Sequence, residues 1–587
     1  MASQSAIAPS APEEPTTHVN SKTIICLVAI NITYMAQFIS LIGSGFLAQS
    51  MAQIVGGTNK TVWYSSCIVI MTVALNPPVS QAADYWGRKP ILIALSLTGM
   101  VGSIIVSRAQ NSSTIIAGFA ILGLNFGCQS VILAVLSEVL PRQYRPMGQA
   151  SAMVASSLGA ITGLLMGGGM LQHGNLTHYR IYWVSYRLQS SPRELQASLS
   201  TYEKLNRLDW IGYFLFAPGL VLFSMALSWS NNPYSWSSAN ILGPFIIGVV
   251  AMILFAVHEW RFKRDGILNH DLWVNRNFAV SLLVIFVEGL AFFAVNSYFA
   301  FEITVIYDAN ILSAGASLTI MFFSGLVFSS VFGLWSSKCK TIRPPLILGC
   351  VSLLLFFILL ATVKIDTPRY AFYIFPLLSG IAMGSIVPLS MVSAQLTTSP
   401  ELITLASALM TSVRGLGGAI GLAINNAVLN DTLDKELPAK VGAAALSLGL
   451  PSSSLPELIN ALATQSKDAV AAVPGVTPEI AQAAVVAMKE AYLSAFRNAW
   501  VISASFCVVL VICESSNVPY QNTYLSATAS CFIREQRADF DARIDAPMDA
   551  GLYNVQGHLV LSQDMEKSVD SHGPKGTSVK HEEIVPS

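Results

Sequence analysis

Residues 278–302 read FAVSLLVIFVEGLAFFAVNSYFAFE. Roughly 20 mostly apolar residues in a helix cross the ~30 Å of a bilayer's hydrocarbon, and this run is long enough. Its apolar character is interrupted by Glu288, ten residues after Phe278. At about 1.5 Å of rise per residue the carboxyl lies about 15 Å deep, near the midplane. A charge there costs roughly 3 kcal/mol or more and must face a cavity, water or a partner. A second run, 402–429, carries the matching exception, Arg414, twelve residues after Leu402. Opposite charges at similar depth predict that these spans meet and pair. Such a pair either ties two helices together or marks a carboxyl that takes up and releases protons.

Working outward, the same pattern fills most of the chain. Of 587 residues 53% are hydrophobic and 11% charged. Soluble domains carry about 25% charged residues, so the chain reads as an all-α membrane protein. Thirteen runs are candidate spans: 23–47, 62–82, 90–108, 114–137, 149–171, 210–228, 240–258, 278–302, 311–335, 344–363, 370–395, 402–429 and 495–514. The formal net charge is zero, which implies no nucleic-acid partner. Eight cysteines sit mostly inside apolar runs, without a CxxC pair, so neither a metal site nor a disulfide frame is expected. Nothing reads as a nucleotide loop, a zinc set or a nucleophile elbow. No enzyme, no cofactor and no ATP-driven pump is therefore expected.

Lys and Arg in the short loops set the orientation. Arg88 and Lys89, Arg142 and Arg145, Arg261 to Arg264, and Lys338 to Arg343 mark cytoplasmic loops and place the N-terminus inside. Residues 1–22 and 515–587 are polar and are expected to be disordered cytoplasmic tails, the first lacking a cleavable signal peptide. Four sequons, at Asn59, Asn111, Asn175 and Asn430, fall in loops expected to face outward and are candidate glycan acceptors. The chain divides into an N-terminal bundle (23–187), a linker (188–209), a central helix pair (210–260) and a C-terminal bundle (261–514) with an outer loop at 430–494. That loop is Ala-rich, with helix-like stretches around 433–447 and 478–490. The arginine loops alternate consistently within each half. The halves agree with each other only if one more crossing lies between Gln172 and Asp209, where no apolar run exists.

Two runs carry small residues every fourth position: Ser151, Ala155, Gly159, Gly163 and Gly167 in one, and Thr411, Gly415, Ala419, Ala423 and Ala427 in the other. Residues four apart share a helix face, so these predict close helix–helix seams. Gly168, Gly417 and Gly418 lie beside the stripes. Asn125, Gln129 and Asn296 are polar exceptions that suit hydrogen bonds across helices or contacts to a substrate. Phe292 and Tyr298 share the run of Glu288 and suit an adaptable apolar cavity wall.

Asp84-Tyr-Trp-Gly87-Arg88-Lys89-Pro90, between the second and third runs, resembles the loop signature of the major facilitator superfamily. Gly159-Ala-Ile-Thr-Gly163-Leu-Leu-Met-Gly167-Gly168 resembles its antiporter signature, with Leu164 where the family has proline. Leu208-Asp209-Trp210-Ile-Gly212 and Ser412-Val-Arg414-Gly-Leu-Gly417-Gly418-Ala-Ile-Gly421 resemble fourteen-helix drug:proton antiporters. Ile54-Val-Gly56-Gly57 before Trp63 resembles the fungal trichothecene-efflux-pump branch. The arginine that the family often carries in the fourth span is absent from Phe119-Ala-Ile-Leu-Gly123.

The resemblance implies two pseudo-symmetric helical bundles, a central extra pair, and fourteen spans of which helix six is missing. It implies proton-coupled efflux of small organic molecules by alternating access. Asp84, Gly87, Arg88 and Lys89 form the gating loop, and Glu288, Arg414 and Asp84 are candidates for coupling. The expected partners are a hydrophobic or amphipathic substrate, protons and the bilayer, for a monomer in the plasma membrane. A siderophore:proton importer and a transport-inactive sensor are the alternatives.

Overall fold

The structure is a computed structural model and describes residues 21–46, 48, 51, 62–171, 209–229, 237–263, 266–309, 311–463 and 473–515. The helices of the N-terminal bundle are α1 (Ser21–Phe46), α2 (Val62–Trp86), α3 (Arg88–Arg108), α4 (Ser112–Phe126), α5 (Gln129–Glu138) and α6 (Arg145–Leu171). The central pair is α7 (Trp210–Trp229) and α8 (Ala239–Arg261). The C-terminal bundle holds α9 (Arg276–Tyr307), α10 (Ile311–Cys339), α11 (Arg343–Ala361), α12 (Ala371–Leu396), α13 (Ile403–Ser447), the short α14 (Leu455–Ala463) and α15 (Pro478–Ser515).

Among the described residues, 12 helical segments are long and apolar enough to cross a membrane, with α4 and α5 counted as one. The remaining expected span, 62–82, is helical as the 25-residue α2, which contains Pro77 and Pro78. The extra crossing expected between Gln172 and Asp209 lies outside the described residues, as do the tails apart from Ser21, Lys22 and Ser515, which are helical in α1 and α15.

In the segment 430–494 the helix-like stretches at 433–447 and 478–490 are continuous with the spans beside them. Helix α13 runs 45 residues without a break, and α15 runs 38. At about 1.5 Å per residue both far exceed the thickness of a bilayer. Their overhanging turns bury Val441, Ala445, Ile480, Ala484 and Met488 against Leu458 and Leu462 of α14. Ala-rich sequence with apolar residues at helical spacing is sufficient for this continuation. Lys489 of α15 donates to Ile306 O at 2.9 Å and meets Asp308 Oδ2 at 2.7 Å, which ties the overhang to the end of α9. The Asn430 sequon is therefore inside a helix, with Nδ2 donating to Asn426 Oδ1 at 3.1 Å.

The two glycine seams differ in register from one another. Gly159 and Gly163 of α6 face α1 as the four-residue stripe predicts, and a Cβ on Gly159 would stand 2.2 Å from Met35 O. Gly167 is buried on the same helix, and the side-chain environment of Gly168 is outside the described residues. The stripe of α13 is split. Gly415 faces Val73 of α2, whereas the seam with α9 runs through Gly417 and Gly421, and Gly418 lies against the Phe293 ring. A Cβ on Gly417 would stand 2.1 Å from Phe286 O, and one on Gly289 of α9 would stand 2.1 Å from Arg414 O. Backbone-to-backbone approach of this kind is what small residues permit in a bilayer.

The central pair is docked on both bundles. Phe216 and Leu220 of α7 and Phe255 of α8 join one apolar cluster with Tyr34 and Phe38 of α1, Leu272 just ahead of α9, Phe278 of α9, and Leu405 and Leu409 of α13.

Gly417→Ala should lower the thermal stability of the purified protein by about 1–3 kcal/mol, the usual cost of overpacking. Gly243→Ala, at a position with nothing within 4 Å of the added Cβ, should leave it unchanged. Thermal unfolding followed by size-exclusion chromatography reads both.

Candidate transport site

The close approach of α9 and α13 brings Glu288 and Arg414 together. Arg414 Nε lies 2.6 Å from Glu288 Oε2, and Nη2 lies 3.0 Å from Oε1. The guanidinium fork matches the carboxylate and compensates its charge in place. The plane of Phe292 takes the other side of Arg414, with Cζ 4.7 Å from the ring centroid. Tyr34 of α1 is within electrostatic reach of both charges and is 7% exposed. The pair belongs to the C-terminal bundle and is faced by a side chain of the N-terminal one.

One turn along α1 from Tyr34 is Gln37, which serves a second feature. The fourth expected span is not one helix. It breaks at Gly127–Cys128, between α4 and α5. The freed carbonyl of Asn125 accepts Gln37 Nε2 and Cys128 Sγ, each at 2.9 Å. On the other side of the break Asn76 Oδ1 of α2 accepts the Ser130 N–H at 3.0 Å. Backbone groups released in a membrane interior need such partners. Asn125 is thus held by the break, and Gln129 is buried as the first residue of α5. Asn296 Oδ1, on α9, is buried without a hydrogen-bond partner. Tyr298 packs half-buried against the core of the C-terminal bundle.

The bundles also meet through hydrogen bonds at the end that carries the arginine loops. Arg88 pairs with Asp84 Oδ1 at 3.2 Å, forms a second ion pair with Glu138, and donates from Nη2 to Thr404 Oγ1 of the opposite bundle at 2.7 Å. Gly87 turns the chain between α2 and α3 at φ 87, in the region that favours glycine. Lys89 is half-buried. Ser137 donates to Gln395 Oε1 at 2.5 Å, Gln149 Nε2 donates to Ser137 Oγ at 2.8 Å, and Gln395 Nε2 donates to Ser407 Oγ at 2.8 Å. Nearer the middle, Pro77 lacks the N–H that would bond Val73 O. That carbonyl accepts Ser412 Oγ of α13 at 2.9 Å instead.

The sequence-predicted coupling residues therefore form two places. Glu288, Arg414 and Phe292 stand together mid-helix, while Asp84 and Arg88 stand at the seam beside the arginine loops. Glu138, Thr404, Gln395 and Tyr34 escaped sequence reading because only tertiary contact gives them a role. Glu302 is a second acid within the 278–302 run. It is 1% exposed and accepts the Trp500 Nε1–H at 3.0 Å. Of the sequons, Asn59 and Asn175 lie outside the described residues. Asn111 is the N-cap of α4, accepting the Thr114 N–H at 2.8 Å.

Comparison with known proteins gives this arrangement a family. The chain is similar to "Trichothecene efflux pump TRI12" of Fusarium sporotrichioides, 23% identical over 535 residues that cover 86% of this chain and 88% of that one. It is similar to "MFS-type transporter ucsD" of Acremonium sp, 24% identical over 392 residues, spanning 64% of this chain and 66% of that one. A solved bacterial homologue of the human lysosomal transporter Spinster superposes with TM-score 0.47 at 15% identity, over 85% of this chain and 97% of that one. The sequence model of the fungal trichothecene efflux pump family matches residues 1–544, and the chain belongs to that family of major facilitator transporters.

Proposed function

We propose that the protein is a proton-driven exporter of small hydrophobic or amphipathic molecules, acting as a single chain in the plasma membrane by alternating access. The observation that carries this reading is the Glu288–Arg414 pair, buried mid-helix and faced by Tyr34 of the other bundle. Rocking of two bundles changes the surroundings of a group placed on their seam. The aromatic ring of Phe292 beside the guanidinium offers an apolar surface next to a charge, which suits an amphipathic substrate. Membership of an efflux-pump family supports the outward direction.

The cytoplasmic hydrogen bonds across the seam give the cycle its gate. Arg88 holds three partners from three helices, so its release opens that end as a unit. The carboxyl of Glu288 is the candidate for proton exchange when Arg414 moves away from it, and substrate release outward accompanies the exchange.

The test is export of a fluorescent hydrophobic dye from a pump-deficient yeast that expresses this chain. Efflux should stop when an uncoupler collapses the proton gradient and should persist when ATP is lowered with the gradient maintained. Efflux that follows ATP, or dye accumulation above the empty-vector control, contradicts the reading.

The pair itself is open to a double-mutant cycle. Glu288→Gln or Arg414→Gln leaves one buried charge uncompensated and should destabilise the fold by about 3–5 kcal/mol. The double variant should regain most of that stability while its efflux stays insensitive to the proton gradient. Thermal unfolding and dye efflux on the four proteins separate the two roles.

A further inference from the structure

The central helix pair begins and ends on acids. Asp209 immediately precedes α7, and Glu259 lies in the last turn of α8. Both side chains are buried, 3% and 1% exposed, at the end of the pair that carries Arg261 and Lys263. Glu259 is fully engaged as an acceptor: Oε1 takes the Ile267 N–H at 3.2 Å and Oε2 takes the Leu268 N–H at 2.8 Å. Asp209 Oδ1 takes the Gly212 N–H at 3.1 Å and lies 3.2 Å from His258 Nε2. Asp209 Oδ2 is buried without any donor of its own. The two carboxyl groups nevertheless converge on one point beside Gly212. They leave so little space that a Cβ on Gly212 would stand 2.0 Å from Asp209 Oδ2 and 3.0 Å from Glu259 Oε1.

Two carboxylate oxygens cannot join directly, since each only accepts. Two buried like charges in contact repel, and one proton between them removes the repulsion and supplies the missing donor. We propose that Asp209 and Glu259 bind a single shared proton from the cytosol, and that this proton docks the central helix pair onto the segment ahead of α9 at Ile267 and Leu268. The proton is shared between Asp209 Oδ2, the one oxygen of the four without an N–H partner, and the Glu259 carboxyl that faces it.

The other titratable groups facing the site are His258 on α8, Lys263 just after it, Tyr213 on α7, and Tyr85 across on α2. Tyr213 extends the site toward the gate. Its hydroxyl donates to Gln81 Oε1 of α2, one turn before Asp84 and its partner Arg88. The docked state, with the proton bound, holds α2 at the seam that closes the cytoplasmic end. Alkalinisation removes the proton, restores repulsion between the carboxylates and loosens the dock. Control of export through this route rests on the efflux reading, whereas the docking does not.

The test uses the full chain in lipid nanodiscs, with hydrogen exchange read at the peptide containing Ile267 and Leu268. Asp209→Asn places an amide donor where the proton would be. In that variant protection should persist at all pH values, with only the intrinsic increase of exchange with pH. The native protein should lose protection beyond that reference, by up to about tenfold per pH unit, across the neutral to alkaline range. Asp209→Ala should lack protection throughout. Identical pH profiles for the native protein and Asp209→Asn would overturn the shared proton. Dependence on sodium or potassium in place of pH would overturn it too. Tyr213→Phe should keep the pH-dependent exchange and lose the cytosolic-pH dependence of dye efflux. Native pH dependence of efflux in Tyr213→Phe would overturn the link to the gate and leave the dock standing.

Discussion

Hydrocarbon offers no hydrogen bonds, so every polar group that enters it must bring its partner along. Most of the architecture follows from that constraint. Glu288 and Arg414 are its extreme case, and the fork between them requires two helices to meet at one depth. That meeting in turn requires Gly289, Gly417 and Gly421, because side chains at those positions would collide with the opposite backbone. The ion pair and the glycine seam are one device.

The same constraint explains the irregular helices. Gly127–Cys128 breaks the fourth span, and Gln37 and Asn76 from two neighbouring helices take up the released groups. Pro77 frees the Val73 carbonyl, and Ser412 from the other bundle accepts the consequence by donating to it. Each irregularity is thereby converted into an inter-helix bond. Because Val73 and Ser412 belong to different bundles, the bond they make is one that a rocking motion must strain or break. Polar accounting and movement are linked in this way at several points along the seam, most densely around Arg88, Ser137, Gln149 and Gln395.

The spans and the pairing of Glu288 with Arg414 were legible in the sequence because a lone charge in an apolar run is conspicuous. The pairing of Asp84 with Arg88 around the Gly87 turn was legible because the three are neighbours in the chain. Arg88's further partners, Glu138 and Thr404, were not, since nothing local distinguishes them from other residues at span ends. The break at Gly127 lacks a proline and looks like any other small residue in a span. The small residues of α13 were legible as packing positions, but which neighbour each one meets, α2 at Gly415 and α9 at Gly417, depends on where those helices lie. The helix-like stretches at 433–447 and 478–490 were legible from their Ala-rich sequence, but not that they continue the spans without interruption. Helix formation outside lipid does not need a span's apolarity, only a neighbour for one face, and α14 supplies it.

The central claim is that the hydrogen-bonded seam at the arginine-rich end is a gate that must open once per export cycle. It is tested by S137C/Q395C in a background lacking the other cysteines, bridged with a short bifunctional thiosulfonate. These two side chains touch across the bundles, at 2.5 Å between Ser137 Oγ and Gln395 Oε1. The account predicts efficient bridging, dye efflux reduced to background, and full recovery on reduction. Bridged protein that exports dye at the unbridged rate would contradict it.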